Sequence, residues 1–343
     1  MKRGFGSDNH SGIAPVLMEA LLKANHAHAP SYGTDEWSER AEDLIKQNFG
    51  NQAQAFFVFN GTAANALSLR SLMRPYHSVL CSDLSHLNVD ECGAPEFFSG
   101  GKLLALPSRD GKLSLETLKA ALIRRGDQHY SQVKALSLTQ PTELGTCYSL
   151  EEMKTITDWA HQEKIWVHVD GARLANAAVN LKVNFKQLIT DVGVDVLSWG
   201  GTKNGFLFGE AVVFLNPSLA AEFKYIRKQS AQLPSKTRFI AAQFEAYLQN
   251  ENWKTIAEHS CQMAEKLCQA LKNFPDLKIT SARQSNAVFA QIPKAWIQAL
   301  RKEYFFYVWN EKTFECRLMT SWDTTVEDIE GFAHLIRQLS TLK

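Results

Sequence analysis

The 343-residue sequence holds little that would tie it to nucleic acid, lipid or a disulfide scaffold. Its 37 lysines and arginines nearly cancel its 36 aspartates and glutamates, leaving a net charge of +1. That removes the broad electrostatic pull of a nucleic-acid or anionic-membrane binder, although a locally basic pocket stays open. No apolar run approaches the length of a membrane span. The N-terminal MKRGFGSDNHSG is basic but has no apolar stretch behind it, so no signal peptide is expected and a cytoplasmic location is. The cysteines at 81, 92, 147, 261, 268 and 316 form no C-x-x-C pair and mostly sit in apolar contexts. Buried free thiols are therefore expected in place of disulfides or zinc. There is no internal repeat and no low-complexity linker. There is also no G-x-G-x-x-G after a strand with an acid about twenty residues on, which argues against a nicotinamide dehydrogenase.

What is present is an ordinary globular composition, 45% hydrophobic, in a chain long enough for one large domain and a smaller one. Apolar runs at 55–59, 78–82, 102–106, 133–138, 165–169, 194–199 and 211–215 read as strands. Amphipathic stretches of helical length lie between several of them, including 114–124 and 149–162. Ser149 and Glu152 form a capping-box start for the latter. Such alternation implies right-handed crossovers and a mostly parallel sheet. Past Pro217 the pattern changes to long helical periodicity over 218–249 and 253–271. Short strands at 287–291, 305–308 and 315–319 and a helix over 325–339 follow. The expected architecture is α/β: a mostly parallel large domain over 1–245, with a smaller α+β C-terminal domain over 246–343.

Two stretches carry the chemistry, WVHVDGARLA at 166–175 and VLSWGGTKNG at 196–205. Each opens as a buried strand and then breaks into small residues bearing one charged group, Asp170 in the first and Lys203 in the second. In parallel α/β sheets, sites form where strands end. Pyridoxal phosphate requires this pair: a lysine to carry its aldehyde as a Schiff base, and an acid to keep the pyridine nitrogen protonated so that the ring is an electron sink. A third part is Asn60-Gly61-Thr62-Ala63-Ala64-Asn65, which follows one strand and opens a helix. Gly61 permits close approach, Thr62 offers a hydroxyl, and the first turn leaves N–H groups free for a phosphate. Alone, the segment reads equally as a capped strand–turn–helix. His168 shares the sheet face of Asp170. A His-x-Asp pair also occurs in metal sites, but no second ligand cluster stands at ligand spacing, so no metal is expected. Arg173 offers a planar fork for a carboxylate or for cofactor oxygens, or is a helix-start arginine. His86, just past a strand, could stack on a flat ring; alone it reads first as an ordinary loop histidine. Ser7-Asp8-Asn9-His10 alone reads as a turn or helix cap.

Together these residues resemble the threonine aldolases of the β-eliminating-lyase type, which have the aspartate-aminotransferase fold, and the resemblance covers nearly the whole chain. Ser7-Asp8-Asn9 matches the family's N-terminal Ser-Asp motif, and Tyr32-Gly33-Thr34-Asp35 resembles its Tyr-Gly-x-Asp. Residues 57–65 resemble its phosphate loop, and His86 with Glu91 its ring-stacking histidine and neighbour. Val169-Asp170-Gly171-Ala172-Arg173 matches its most specific motif, and Lys203 resembles its Schiff-base lysine. The resemblance further implies that His129 lies near the substrate hydroxyl, that His86 or His129 is the base, and that Arg317, Ser7 and Arg173 hold the substrate carboxylate. It implies aldol cleavage of L-threonine, L-allo-threonine and related β-hydroxy-α-amino acids to glycine and an aldehyde. A phenylserine-type preference, or another lyase, racemase or transaminase on the same scaffold, are the alternatives. It also implies a dimer of dimers, with Tyr32 and residues 227–238 lent between subunits. The segment SLTQPTELGT, Asn60 and the bulky Trp199 depart from the family pattern.

Overall fold

The computed structural model describes residues 2–341. Its centre is a seven-stranded sheet. The strands are β1 (Gln54–Val58), β2 (His77–Ser82), β3 (Lys102–Leu106), β4 (Gln132–Thr139), β5 (Trp166–Gly171), β6 (Val196–Gly200) and β7 (Glu210–Phe214). Their spatial order is β1-β7-β6-β5-β4-β2-β3. Only β7 runs against its neighbours, pairing antiparallel with both β1 and β6. The remaining pairs are parallel. All seven expected strands form, because each is an apolar run that helices can cover on both faces.

Alternate residues feed two separate cores. Phe57, Leu80, Leu136, Leu197 and Val213 face the helices Glu36–Phe49, Leu150–Gln162, Leu174–Leu181 and Arg238–Leu248. Val58, Val79, Ala135, Val196 and Val212 face the helices Gly61–Leu72 and Phe223–Gln229 on the other side. Trp199 is fully buried, and its ring packs against Phe49, Phe185 and Phe244 with centroids 4.9–5.4 Å apart. This bulky departure in the lysine motif is thus a core residue, on the opposite face of β6 from Ser198.

A second sheet is antiparallel, in the order β10-β11-β9-β8. Its strands are β8 (Lys278–Ile279), β9 (Ala287–Gln291), β10 (Tyr307–Asn310) and β11 (Glu315–Met319). Helices Asn252–Lys272, Lys294–Glu303 and Val326–Thr341 pack on it through Leu267, Leu271, Leu300, Phe332 and Ile336. Phe5, from the chain's other end, is buried in this core. Its N–H donates to Phe305 O, and its carbonyl accepts from Met319 N–H. Among the described residues no helix is long and apolar enough to cross a membrane.

The single helix expected over 218–249 is instead two, Phe223–Gln229 and Arg238–Leu248. Ala231 takes φ 59°, and Pro234 brings no N–H to a helical ladder, so residues 230–237 form a loop. The helix expected over 114–124 stops at Ala120, ahead of Arg124 with φ 53°. Strand β8 and the exact span of β10 were not legible.

Candidate active site

The parallel strands deliver the candidate residues to one edge. Asp170 is the penultimate residue of β5, and Lys203 lies in the 3₁₀ turn Thr202–Asn204 that follows β6. Gly61 and Thr62 open the helix after β1, and His86 opens the short helix after β2. These residues line one cavity of about 270 Å³, together with Asn9, Asn65, Glu91, Ser198, Gly200 and Glu210.

Each group is held by its surroundings. Asn60 caps the Gly61–Leu72 helix, its side chain accepting from Ala63 N–H at 2.9 Å. The N–H groups of Gly61 and Thr62 precede the helical ladder, and a Cβ on Gly61 would meet nothing within 4 Å. The helix therefore opens towards the cavity with donors and empty space, which suits a phosphate. Asp170 Oδ1 accepts from Ala172 N–H at 3.0 Å, and Oδ2 from Asn65 Nδ2 at 2.9 Å. His86 Nδ1 lies 2.8 Å from Glu91 Oε1, and its backbone N–H donates to Glu143 Oε1 at 3.0 Å. The bond from Glu91 raises the imidazole's proton affinity above the ordinary value, against the opposing effect of burial.

Lys203 is partly buried, and among the described residues its Nζ has no hydrogen-bond or ion-pair partner. Burial, with the Arg173 charge behind it, pulls its pKa below that of an ordinary lysine; Asp8, Asp170 and Glu210 oppose the shift. An amine drawn towards neutrality is a nucleophile. Glu210, which faces the same turn, accepts from Gly201 N–H at 2.7 Å, and burial pushes it up to about 7.

The close approach of β6 to the 170s turn depends on glycine. A Cβ on Gly200 would lie 2.6 Å from Ala172 O and 2.7 Å from Ala172 Cα, both backbone atoms that cannot step aside. Gly200→Ala is expected to cost about 1–3 kcal/mol, read from the shift in the urea midpoint. An unchanged midpoint would count against this contact.

Arg173 lies at the start of the Leu174–Leu181 helix and is already engaged. Nε and Nη2 donate to the two oxygens of Asp8 at 2.6 and 2.9 Å. Ser7 caps the 3₁₀ turn Asp8–His10, its hydroxyl oxygen accepting from Asn9 N–H. Arg317, on β11, stands over the rings of Trp309 (5.0 Å) and Tyr307 (5.6 Å) and donates from Nη2 to Gly6 O. Its Nε is buried without a partner. Burial and the nearby Arg173 charge hold its pKa down to about 10.

Five expected residues do not line this cavity: Ser7, Arg173 and Arg317, of which Arg173 acts on Lys203 and Arg317 through its charge, and His129 and Tyr32, which lie elsewhere. His129 is exposed in the loop before β4, at the sheet edge opposite Asp170, and its N–H donates to Asp127. Nearness to β4 in sequence did not distinguish which end of the strand it would occupy. Tyr32, with φ 63°, is exposed and lines a separate cavity of about 490 Å³ with Glu42 and Arg227. His168 is sealed in the sheet between Ser137 Oγ (2.9 Å) and Ser198 Oγ (2.8 Å), and burial holds its pKa down to about 4. It is a neutral structural histidine, with both ring nitrogens occupied.

Glu143 and Glu210 were missed by sequence reading, as was the pairing of Asp8 with Arg173. Glu143 Oε1 accepts from Thr139 Oγ1 and from His86 N–H, and burial pushes this carboxyl up to about 7. The only local signal for Glu210 was an acid at the head of an otherwise apolar strand.

Comparison with known proteins is consistent with this geometry. Residues 4–295 match the family model described as beta-eliminating lyase. The chain is 42% identical over 335 residues to a low specificity L-threonine aldolase of Pseudomonas aeruginosa, covering 97% of this chain and 96% of that one. It is 40% identical to one from Pseudomonas sp. strain NCIMB 10558, covering 97% and 96%. A solved Leishmania major threonine aldolase superposes with a TM-score of 0.93 at 27% identity, covering 98% of this chain and 99% of that chain.

Proposed function

The chain belongs to the beta-eliminating lyase family, and from that premise we propose that it is a pyridoxal-phosphate-dependent aldolase. It cleaves L-threonine, L-allo-threonine and related β-hydroxy-α-amino acids to glycine and an aldehyde. The observation that carries the reading is Lys203: a partly buried amine, unpartnered among the described residues, in the same cavity as Asp170, His86 and the open first turn at Gly61. The residues fit the cofactor. Lys203 would hold its aldehyde carbon, Gly61 and Thr62 its phosphate, Asp170 its pyridine nitrogen and His86 its ring face. When bound, the cofactor supplies an electron sink for the pair left at Cα when the Cα–Cβ bond breaks.

The chain's own part is to choose that bond. Arg317, whose Nε faces no protein acceptor, is the main holder of the substrate carboxylate, with Ser7 beside it. Arg173 has Nε and Nη2 on Asp8, so it contributes from Nη1. Holding the carboxylate fixes which Cα bond stands perpendicular to the ring, and only that bond cleaves readily. His86 is the candidate base for the β-hydroxyl proton, because Glu91 occupies Nδ1 and leaves Nε2 available. Tyr32 and residues 227–238 lie on the face we assign to a second copy of the chain, in a dimer of dimers.

The purified protein with added cofactor is expected to release aldehyde from L-threonine and L-allo-threonine, and none from D-threonine. L-phenylserine ranks the side-chain preference. A borohydride-reduced sample is expected to be inactive. Cofactor binding without aldehyde from any L-substrate would move the reaction to another lyase, racemase or transaminase class.

A further inference from the structure

The buried amide of Asn65 lies between two carboxylates. Nδ2 donates one hydrogen to Glu91 Oε1 at 2.8 Å and the other to Asp170 Oδ2 at 2.9 Å. The reversed amide would set Oδ1 against two carboxylate oxygens, so the orientation is settled by electrostatics. Oδ1 itself is buried without a partner, and so is Glu91 Oε2. Glu91 Oε1 in turn bonds His86 Nδ1. A continuous chain thus runs Asp170–Asn65–Glu91–His86, from the group assigned to the pyridine nitrogen to the group assigned to the ring face.

We propose that Asn65 is a positioning residue whose single amide nitrogen ties Asp170 to the Glu91–His86 pair, so that the two groups gripping the ring are set together. This rests on the roles given to Asp170 and His86 above. Two neighbouring buried carboxylates repel, and one N–H donated to each offsets that repulsion. Among the described residues no other side chain bonds the Asp170 carboxylate. Without Asn65, Asp170 keeps only the Ala172 N–H, and Glu91 keeps only His86. Burial already raises the proton affinity of Glu91, and losing a donor raises it further. The other charged groups around this chain are Lys203, Arg173 and Glu143. None of the three bonds Asn65.

The test compares wild type with Asn65→Ala and Asn65→Ser in the full-length protein; the serine keeps a small polar side chain should the alanine fold poorly. In the cofactor-free protein, ¹⁵N-histidine NMR follows the His86 ring, assigned by its loss in His86→Asn. A Glu91 that has lost a donor accepts more strongly, so the His86 titration is expected to move upward by about half a unit or more. In the loaded protein, the pH midpoint of the cofactor's visible band is expected to move by a similar amount. There kcat for L-threonine is expected to fall about tenfold, with KM within about threefold, since Asn65 touches no part assigned to the substrate. A His86 titration and band midpoint unchanged in both variants would overturn the proposal. So would a loss confined to KM. Failure of wild type to bind the cofactor or cleave threonine would sink the proposed function, and the His86 titration would still decide the bridge.

Discussion

Lys203→Ala is expected to abolish aldehyde release, lowering turnover by on the order of 10⁴-fold or more. The argument is one of position. Among the described residues Lys203 is the only lysine lining the 270 Å³ cavity, and it stands on a turn whose geometry is fixed from two sides. Asn204 Nδ2 donates to Gly200 O at 3.0 Å and to Ala172 O at 3.2 Å. Glu210 accepts from Gly201 N–H on the opposite flank. The loss should come with no loss of stability. A partly buried amine lying near the Arg173 charge adds little to the fold, and its removal leaves no hydrogen-bond partner orphaned. Steady-state aldehyde release and a thermal melt on one preparation test both parts. Near-normal turnover would remove Lys203 from the chemistry; a large fall in melting temperature would show that it has a structural role as well.

Arg173→Ala is expected to destabilise the protein by about 3–5 kcal/mol, the range for leaving a buried ion without its partner. Asp8 is only 1% exposed, and its two oxygens accept from Arg173, with Asn286 Nδ2 adding 3.0 Å support to Oδ2. Burial pushes the Asp8 carboxyl up, but Arg173, with Lys203 and Asn286 behind it, outweighs burial and holds it below the ordinary range. Asp8 therefore adds stability above the unfolded pKa of about 3.9. That stability is lost as pH falls through the lower folded value. In Arg173→Ala burial dominates, and the folded pKa lies above the unfolded one. The sign then reverses: acidification towards the unfolded pKa of about 3.9 should recover stability in the variant, whereas wild type loses the Asp8 contribution only below that value. Urea midpoints at several pH values between 3 and 7 would show this. Parallel pH slopes in the two proteins would refute the assignment.

Much of the fold was legible because its strands are buried on both faces, and runs such as AVVFL and IWVHV have one plausible use. The helix after Pro217 was read too long because helical periodicity persists in QSAQLPSK while Ala231 and Pro234 break the backbone. In the site, Asp170, Lys203, His86 and Gly61 were legible because each lies at or just past the end of a strand, and parallel strands bring their ends to one edge. The Asp8–Arg173 pair was not, since 165 residues separate its partners and neither segment marks the other. Glu143 was hidden for a different reason. Its environment is made by Thr139 and the His86 N–H, and in sequence it is one more acid in a polar loop.

The burial of Phe5 in the second core has a mechanical consequence. Three residues after Phe5 comes Asp8, the group that grips Arg173. The backbone between them is short and pinned at Phe5 by Phe305 and Met319. Asn286, beside β9, holds Asp8 from the small sheet as well. The leading residues therefore act as a tie-rod: whatever rocks the small sheet against the large one pulls on the carboxylate clamp at the same moment. A fusion or truncation that frees residues 2–5 would slacken that rod and take Phe5 out of the second core, while leaving the cores of the large sheet intact.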